Sequence, residues 1–187
     1  MKLFSKLKIK QLKEKDFSNA MKILDNELGK KRVRDRNFLH HKFKEFPEFF
    51  IGIFLNKELV GVVCGFPREN YLLISMIAVD SRFQRRGFGK RLVEKFEQVA
   101  KNKYSKINVG AQDKAINFYY ALNYEPFSLI QFKKQDYSLK DFKDSEIIKF
   151  TPNTIEVEVK KPDINKIKQL RKKFPKAYFQ YIFTKKI

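Results

Sequence analysis

MIAVDSRFQRRGFGKR, residues 76–91, is the most informative segment of the sequence. It begins at the end of a nearly continuous apolar run, Tyr71 to Val79, which predicts a buried strand. It ends in a segment whose apolar positions recur with helical spacing, at Leu92, Val93, Phe96, Val99 and Ala100. Between them lies a loop with two glycines. A strand that leads through a glycine-containing loop into a helix is suited to bind phosphate, because unpaired amides and the helix dipole face the ligand.

The charge of this loop predicts the kind of anion. Arg85, Arg86, Lys90 and Arg91 add four positive charges, a density that suits a pyrophosphate better than a single carboxylate. The alternative is an ordinary strand-to-helix turn with a solvated basic rim. The loop is neither a G-x-G-x-x-G dinucleotide fingerprint, which would need a third glycine at Leu92, nor a P-loop, because Arg91 follows Gly89-Lys90. A nucleotide-bearing cofactor outside those two families is the better candidate.

The segment resembles motif A of the GNAT superfamily of acyl-CoA-dependent N-acetyltransferases, a strand ending in Val followed by Gln/Arg-x-x-Gly-x-Gly/Ala. Here the loop reads Gln84-Arg85-Arg86-Gly87-Phe88-Gly89. Downstream, residues 115–125 (AINFYYALNYE) resemble the second motif of the family, Ala-x-x-Phe-Tyr-x-x-Leu-Gly-Phe/Tyr-Glu, with Asn123 in place of the usual Gly. The resemblance covers about residues 6 to 135.

The resemblance implies acetyl-CoA as co-substrate and no metal. The backbone of Ile77, Ala78 and Val79 would hydrogen-bond the pantetheine arm. The side chain of Gln112, where many relatives have Asn, would donate to the cofactor. The pyrophosphate would be held by the amides of Gln84, Arg85, Arg86, Gly87, Phe88, Gly89 and Lys90.

Tyr119 aligns with the tyrosine that protonates the departing CoA thiolate in many relatives. A phenol with a pKa near 10 is a chemically sensible acid for a thiolate leaving group. The alternative is that Phe118, Tyr119 and Tyr120 are core aromatics, and we favour that interpretation for Tyr120 alone.

No general base is evident in the sequence. The Tyr71–Val79 strand contains no acidic residue. Asp80, Glu58 and Glu69 are candidates only through their proximity in the chain. We hypothesise that no single side chain serves as an essential base.

The order of predicted elements, β α α β β β α β α β, indicates an α+β fold. A mixed, largely antiparallel central sheet would carry helices on both faces. The Tyr71–Val79 strand should be central and covered on both sides. Asp16 should cap the first helix, which ends at Gly29, and residues 56–58 should turn a hairpin. Residues 113–122 should form a further helix, which Asn123 would end in a left-handed conformation.

The C-terminal part predicts a small ββαβ extension after a polar linker, residues 133–145. We therefore expect two domains, residues 1–136 and 137–187. Residues 160–186 contain ten basic residues and one acidic residue. The extension is either a packing or homodimerisation appendage, which we favour, or a platform for nucleic acid. In the second case bases would stack on Tyr178, Phe179, Tyr181 and Phe183.

Composition limits the partners, the location and the kinds of site that the chain can have. The 187 residues include 41 basic and 21 acidic side chains, a net charge of +20, which reflects either an anionic partner or a lysine-rich proteome. No apolar run is long enough to cross a membrane, and no signal peptide is evident, so we expect a cytoplasmic protein without membrane contact. Cys64, the only cysteine, excludes an internal disulfide and should lie in the core. His40 and His41 form no metal set.

Two function classes follow. The first is an N-acetyltransferase that passes an acetyl group from acetyl-CoA to an amine by direct attack on the thioester, with Tyr119 as general acid. The second is a non-catalytic protein of the same fold that binds acyl-CoA or nucleic acid. The amine is not identified; the basic residues Arg32, Arg34 and Arg36 would face an acceptor or partner with negative charge.

Overall fold

Strands and helices follow the apolar periodicity of the sequence in a computed structural model, which describes residues 6–30, 35–133, 145–160 and 164–187. Two compact units can be distinguished by their internal contacts, Met1–Ile107 with Lys186–Ile187, and Asn108–Lys185. The elements in chain order are β1 (Leu7–Gln11), α1 (Glu14–Leu28), α2 (Arg36–Glu45), β2 (Phe50–Leu55), β3 (Glu58–Arg68), β4 (Tyr71–Val79), α3 (Phe88–Ala100), β5 (Lys106–Ala111), α4 (Ile116–Tyr120), β6 (Glu125–Lys133), β7 (Ser145–Phe150), β8 (Thr154–Lys160), α5 (Ile164–Lys173) and β9 (Tyr178–Lys186).

In the first unit, the strands lie in the order β1-β2-β3-β4, and each adjacent pair is antiparallel. The predicted hairpin between β2 and β3 is confirmed. Its two loop residues, Asn56 and Lys57, have positive φ angles of 49° and 74°, which match the right-handed twist of paired strands. In β4, Ser75 has no partner in β3, because Cys64 pairs with Met76 and Gly65 with Ile74. This bulge bends β4 just before the residues that lead into the glycine-containing loop.

Helices cover both faces of this sheet, as the sequence predicts. On one face, α1 and α2 bury a cluster against side chains of β2, β3 and β4, including Phe50, Val62 and Cys64. On the other face lies α3. A Cβ atom on Gly65 would come within 2.6 Å of the Phe96 ring of this helix and 2.2 Å of a β4 carbonyl oxygen. Glycine at position 65 therefore allows α3 to pack closely on the sheet.

Two details of the prediction are wrong. The N-cap of α1 is Lys13, not Asp16. Asp16 occupies the third helical position, where its carboxylate accepts the Lys13 amide at 3.0 Å in a capping box. In β4, side chains alternate between buried and half-buried, so the strand is not covered equally on both faces. Unbroken buried runs occur instead in β2, from Phe50 to Phe54, and in β3, from Val60 to Phe66. Both strands lie between two other strands of the sheet and contact helices.

In the second unit, which contains β5 from Asn108 onward and β9 up to Lys185, the strand order is β5-β9-β6-β8-β7. The last strand of the chain therefore lies between β5 and β6. Strand β6 pairs antiparallel with β8 on one side and β9 on the other. The helix expected over residues 113–122 is divided into a 3-10 turn, Asp113–Ala115, and the short α4. The expected left-handed residue after it is confirmed, since Asn123 has a φ of 59°.

The predicted β7, β8, α5 and β9 all form. The predicted boundary between domains 1–136 and 137–187 lies outside the described residues and stays a prediction. No helix among the described residues is long and apolar enough to span a membrane.

Candidate functional site

The turn between β4 and α3 presents a row of backbone amides. Arg85 and Gly87 have positive φ angles of 59° and 75°. Such alternation of left- and right-handed residues turns consecutive N–H groups toward the same side and forms an anion-binding concavity. The hydrogen-bond ladder of α3 starts with Arg91 N donating to Gly87 O at 3.2 Å. The amides of Phe88, Gly89 and Lys90 precede that ladder and therefore point out of the helix N-terminus.

Gly87 is required for its backbone conformation and not for space. It is the N-cap of α3 in the left-handed region, φ 75° and ψ 7°. A Cβ atom built on it meets nothing within 4 Å. Since non-glycine residues are disfavoured in this region, glycine here keeps the turn free of strain.

The cations around this turn divide into two groups. Arg85, Arg86, Lys90 and Arg91 are exposed at the N-terminus of α3, where they add to the positive end of the helix dipole. Arg82 is instead engaged by two carboxylates, Asp80 at 2.7 Å and Glu58 at 2.8 Å. Lys90 lies 3.8 Å from the Glu94 carboxylate of the same helix. Arg82 therefore stabilises the turn, while Arg85, Arg86 and Arg91 are the exposed guanidinium groups beside the amides.

Gln84, predicted to contact the cofactor, has its side chain engaged within the protein. Its Nε2 donates to Val79 O at 2.8 Å and to Glu27 Oε2 at 2.8 Å. Its backbone amide donates to Ser81 O at 3.4 Å. Gln84 thus fixes the start of the loop, and the outward-pointing amides lie further along it.

Glu27, near the end of α1, holds the same turn from a distant part of the sequence. Its Oε1 accepts the Ser81 amide at 2.8 Å, while Oε2 accepts the Gln84 side chain. Sequence reasoning missed this residue. The contacts join positions separated by 54 and 57 residues, and no local spacing signals them.

Ile77, Ala78 and Val79, expected to bind the pantetheine arm, form the end of β4. They pair with Val63, Val62 and Gly61 of β3. Val79 O already accepts a hydrogen bond from Gln84. The structure thus brings these three residues together with the amide row, all within the first unit.

Tyr119 lies in the second unit, on α4, and is 2% exposed. Its ring stacks on Phe183 of β9, with centroids 5.4 Å apart, and meets Tyr124 edge-on at 5.7 Å. Burial raises the pKa of the Tyr119 phenol well above its usual range, because the phenolate would lose its hydration. Tyr119 therefore keeps its proton throughout neutral pH.

The expectation that Tyr120 is a core residue is wrong. Its side chain is 43% exposed, and only one edge of the ring rests against Phe183. Since Tyr119 and Tyr120 are neighbours on a helix of five residues, their side chains point about 100° apart, and only one can face the sheet.

Gln112 comes directly after β5, also in the second unit. It precedes the 3-10 turn Asp113–Ala115, and its carbonyl accepts the Ala115 amide at 2.8 Å. Its side chain makes no capping hydrogen bond and is half-buried. The amide group is therefore available to a ligand.

The three candidate bases have different surroundings. The Arg82 side chain, which hydrogen-bonds Asp80, lowers the pKa of that carboxyl and makes it a weaker base. Glu58 pairs with the same guanidinium. Glu69 is exposed in the turn between β3 and β4. Both Asp80 and Glu58 are therefore held by Arg82 and do not stand free for a substrate amine.

The remaining candidates are placed as follows. Of the three arginines expected on the acceptor side, Arg36 contacts the Asp25 carboxylate of α1, and Arg32 and Arg34 lie outside the described residues. Cys64 is buried in the core, as predicted, and burial raises the pKa of its thiol to about 12. His40 is half-buried on α2, where its Nε2 lies 2.5 Å from the Glu14 carboxylate.

Comparisons with known proteins place this geometry in a family. The sequence model of the acetyltransferase (GNAT) family matches residues 9–124. No curated protein matches the chain.

Solved structures share the fold at low sequence identity. An N-acetyltransferase from Staphylococcus aureus Mu50 is 10% identical, with a TM-score of 0.61 and coverage of 97% of this chain and 99% of that one. A GNAT family acetyltransferase from Elizabethkingia anophelis, solved with acetyl-CoA bound, is 14% identical, with a TM-score of 0.56 and coverage of 97% and 98%. A longer Pyrococcus horikoshii protein is 16% identical, with a TM-score of 0.56; the match covers 78% of this chain and half (50%) of that one.

Proposed function

The chain belongs to the GNAT family of acetyltransferases, and from this premise we propose that it transfers the acetyl group of acetyl-CoA to an amine. The amine nitrogen attacks the thioester carbonyl directly. A C–N bond forms, the C–S bond breaks, the nitrogen loses a proton, and the CoA thiolate gains one. The observation that carries this proposal is the row of outward-pointing amides at the N-terminus of α3, surrounded by four exposed cations.

In this proposal the amides of Phe88, Gly89 and Lys90 bind the pyrophosphate of acetyl-CoA, and the arginines of the turn neutralise its charge. The family resemblance adds the backbone of Ile77 to Val79 and the side chain of Gln112 as the groups that hold the pantetheine arm. Bound acetyl-CoA supplies the activated acyl group and the leaving thiolate.

Tyr119 is the proposed general acid. Its burial keeps the phenol neutral, so it can donate a proton toward the sulfur as the C–S bond breaks. Replacing Tyr119 by Phe should lower kcat by about 10² or more while leaving the fold intact, because the ring and its packing remain. The matched control is Tyr120→Phe, an exposed neighbour that should keep wild-type turnover. Equal turnover of Tyr119→Phe and wild type would remove Tyr119 from the mechanism.

The attacking amine needs no dedicated base in this proposal. Arg82 engages both Asp80 and Glu58, so an amine that arrives partly neutral passes its proton to water.

The cytoplasmic location expected from the sequence stays a prediction.

Cofactor binding is tested by the melting temperature with and without acetyl-CoA. A ligand at 100 times its Kd that binds only the folded state adds about 2.7 kcal/mol, which raises the melting temperature by several degrees. No rise with either acetyl-CoA or CoA would contradict the proposed site. A rise without turnover of any amine would favour the non-catalytic alternative.

The acceptor is proposed to carry negative charge near its amine, because residues 30–36 (KKRVRDR) include five basic residues and one acidic residue. Reversing Arg32, Arg34 and Arg36 to Glu should raise the acceptor KM far more than the acetyl-CoA KM. Equal changes in both constants would refute this assignment.

Binding of single-stranded nucleic acid is a second candidate function, favoured by the charge of α5 and β9. Residues 164–187 carry eight basic residues and no acidic one, whereas the rest of the chain carries 33 basic and 21 acidic residues. Lys168 and Lys172, one helical turn apart on α5, are both exposed. Like charges at this spacing destabilise a helix, so an anionic partner would relieve their repulsion.

A matched charge reversal tests this second candidate. Lys168→Glu with Lys172→Glu should weaken binding of a fluorescent oligouridylate and reduce its salt dependence. Lys22→Glu with Lys101→Glu makes the same change of net charge at exposed sites of the first unit and should weaken binding less. Equal losses would assign binding to net charge alone. A shift from dimer to monomer in the α5 variant would favour the dimerisation alternative.

A further inference from the structure

We infer that Glu27 is a positioning residue for the pyrophosphate of acetyl-CoA, an inference that rests on the proposed function. Glu27 does not touch the amide row itself. It acts through Ser81 and Gln84, which precede that row in the chain.

The hydrogen bonds of Glu27 and Gln84 connect three segments of the chain. Its two carboxylate oxygens accept one bond each, from the Ser81 amide and the Gln84 side chain, both at 2.8 Å. The same Gln84 nitrogen also donates to Val79 O at 2.8 Å. The last residue of β4, the loop and the last turn of α1 are therefore joined at one point, immediately before the left-handed Arg85.

This arrangement decides where the loop starts. With Gln84 fixed to both β4 and α1, the chain enters the left-handed residues Arg85 and Gly87 from a defined position. An amide row binds phosphate well only when its N–H groups already converge. Without the Glu27 carboxylate, the loop would have to be ordered at the expense of binding energy.

Because Glu27 is negatively charged, the direction in which its removal changes acetyl-CoA affinity tests this inference. A carboxylate near a binding site for an anion weakens binding through repulsion, so removing the charge should tighten acetyl-CoA binding if charge alone mattered. Positioning predicts the opposite, a weaker complex. The direction of the change therefore separates the two effects.

The experiment is a titration of acetyl-CoA into the full-length protein by calorimetry. The variants are Glu27→Ala, which removes both acceptors, and Glu27→Gln, which keeps one oxygen and removes the charge. We expect the Kd to rise about tenfold for Glu27→Ala, as for two lost charge-assisted hydrogen bonds that are partly exposed. The rise should be smaller for Glu27→Gln. In turnover assays the acetyl-CoA KM should rise while kcat and the acceptor KM stay unchanged.

The control is Glu14→Gln, which removes a carboxylate from the first turn of the same helix. Glu14 also has a partner, His40, but contacts no residue of the loop. Its acetyl-CoA affinity should equal that of wild type. Gln84→Leu should also weaken binding, and the double variant should lose less than the sum of the two single losses, because the Gln84–Glu27 hydrogen bond is common to both variants.

The results distinguish a failure of the proposed function from a failure of the positioning role of Glu27. If wild type fails to bind acetyl-CoA, the proposed function fails and this inference with it. If wild type binds and both Glu27 variants bind equally well or more tightly, the proposed function stands and the positioning role is overturned. Equal losses in Glu14→Gln and Glu27→Gln would also overturn it.

Discussion

Replacing Gly87 by alanine should separate cofactor binding from stability. The residue has a φ of 75° and a ψ of 7°, and an added Cβ would meet nothing within 4 Å. The cost is therefore conformational, about 1–2 kcal/mol for an L-residue in the left-handed region. For a chain of this length, that corresponds to a fall in melting temperature of roughly 2–8 °C.

The effect on acetyl-CoA should be larger than the effect on folding suggests. Alanine relieves its strain by rotating away from the left-handed region, and this rotation turns the neighbouring amides of Phe88 and Gly89 out of convergence. We expect the Kd for acetyl-CoA to rise at least tenfold, which corresponds to about 1.4 kcal/mol. Calorimetric titration and thermal melts of the same preparation give both quantities.

Gly29→Ala is the matched control. Gly29 also has a positive φ, 84°, and open space around its Cβ position, but it ends α1 and contributes no amide to the row. Gly29→Ala should lose at least as much stability and bind acetyl-CoA like wild type. An unchanged Kd for Gly87→Ala alongside a lowered melting temperature would refute the assignment of the amide row. A Kd raised equally in both variants would refute it too.

Three further predictions concern the core and the candidate bases. Gly65→Ala should lower the free energy of unfolding by about 1–3 kcal/mol in a denaturant titration, because its Cβ would lie 2.2 Å from a β4 carbonyl oxygen and 2.6 Å from the Phe96 ring of α3. Wild-type stability would contradict the close packing at this position. Cys64 should resist iodoacetamide at pH 8 in the folded protein, since burial raises its thiol pKa to about 12 and the reactive thiolate forms only well above that pH. Rapid labelling under native conditions would contradict this. Asp80→Asn, Glu58→Gln and Glu69→Gln should each keep turnover within about tenfold of wild type, and a loss of 10² in any one would identify a base.

Local patterns in the sequence were sufficient for most of the fold. The length of the apolar run in β4, the turn residues between β2 and β3, and the helical stripe of α3 each depend on neighbouring residues only. The left-handed positions after α1 and α4 followed from Gly29 and Asn123 for the same reason. The errors came where several residue types could serve, as when Lys13 took the N-cap position expected for Asp16.

The site was predictable only in part, because its support comes from distant residues. The glycines and cations of the loop share one stretch of sequence, and they were identified from it. The contacts of Glu27 with Ser81 and Gln84, and of Glu58 with Arg82, join residues that fold together without any spacing rule. Tyr119 and Tyr120 could not be separated by burial until the orientation of α4 on β9 was known.

Acetyl transfer from acetyl-CoA to an amine yields two products, and both can be measured in one reaction. The purified protein is incubated with acetyl-CoA and, in turn, a small polyamine, a lysine-containing peptide and peptides with different free N-termini. Free thiol is measured together with acetylated amine by mass spectrometry. We expect thiol release equal to amine acetylation with at least one acceptor, and a loss of both in Tyr119→Phe. Saturable binding of acetyl-CoA with no acetylated product from any of these amines would contradict it.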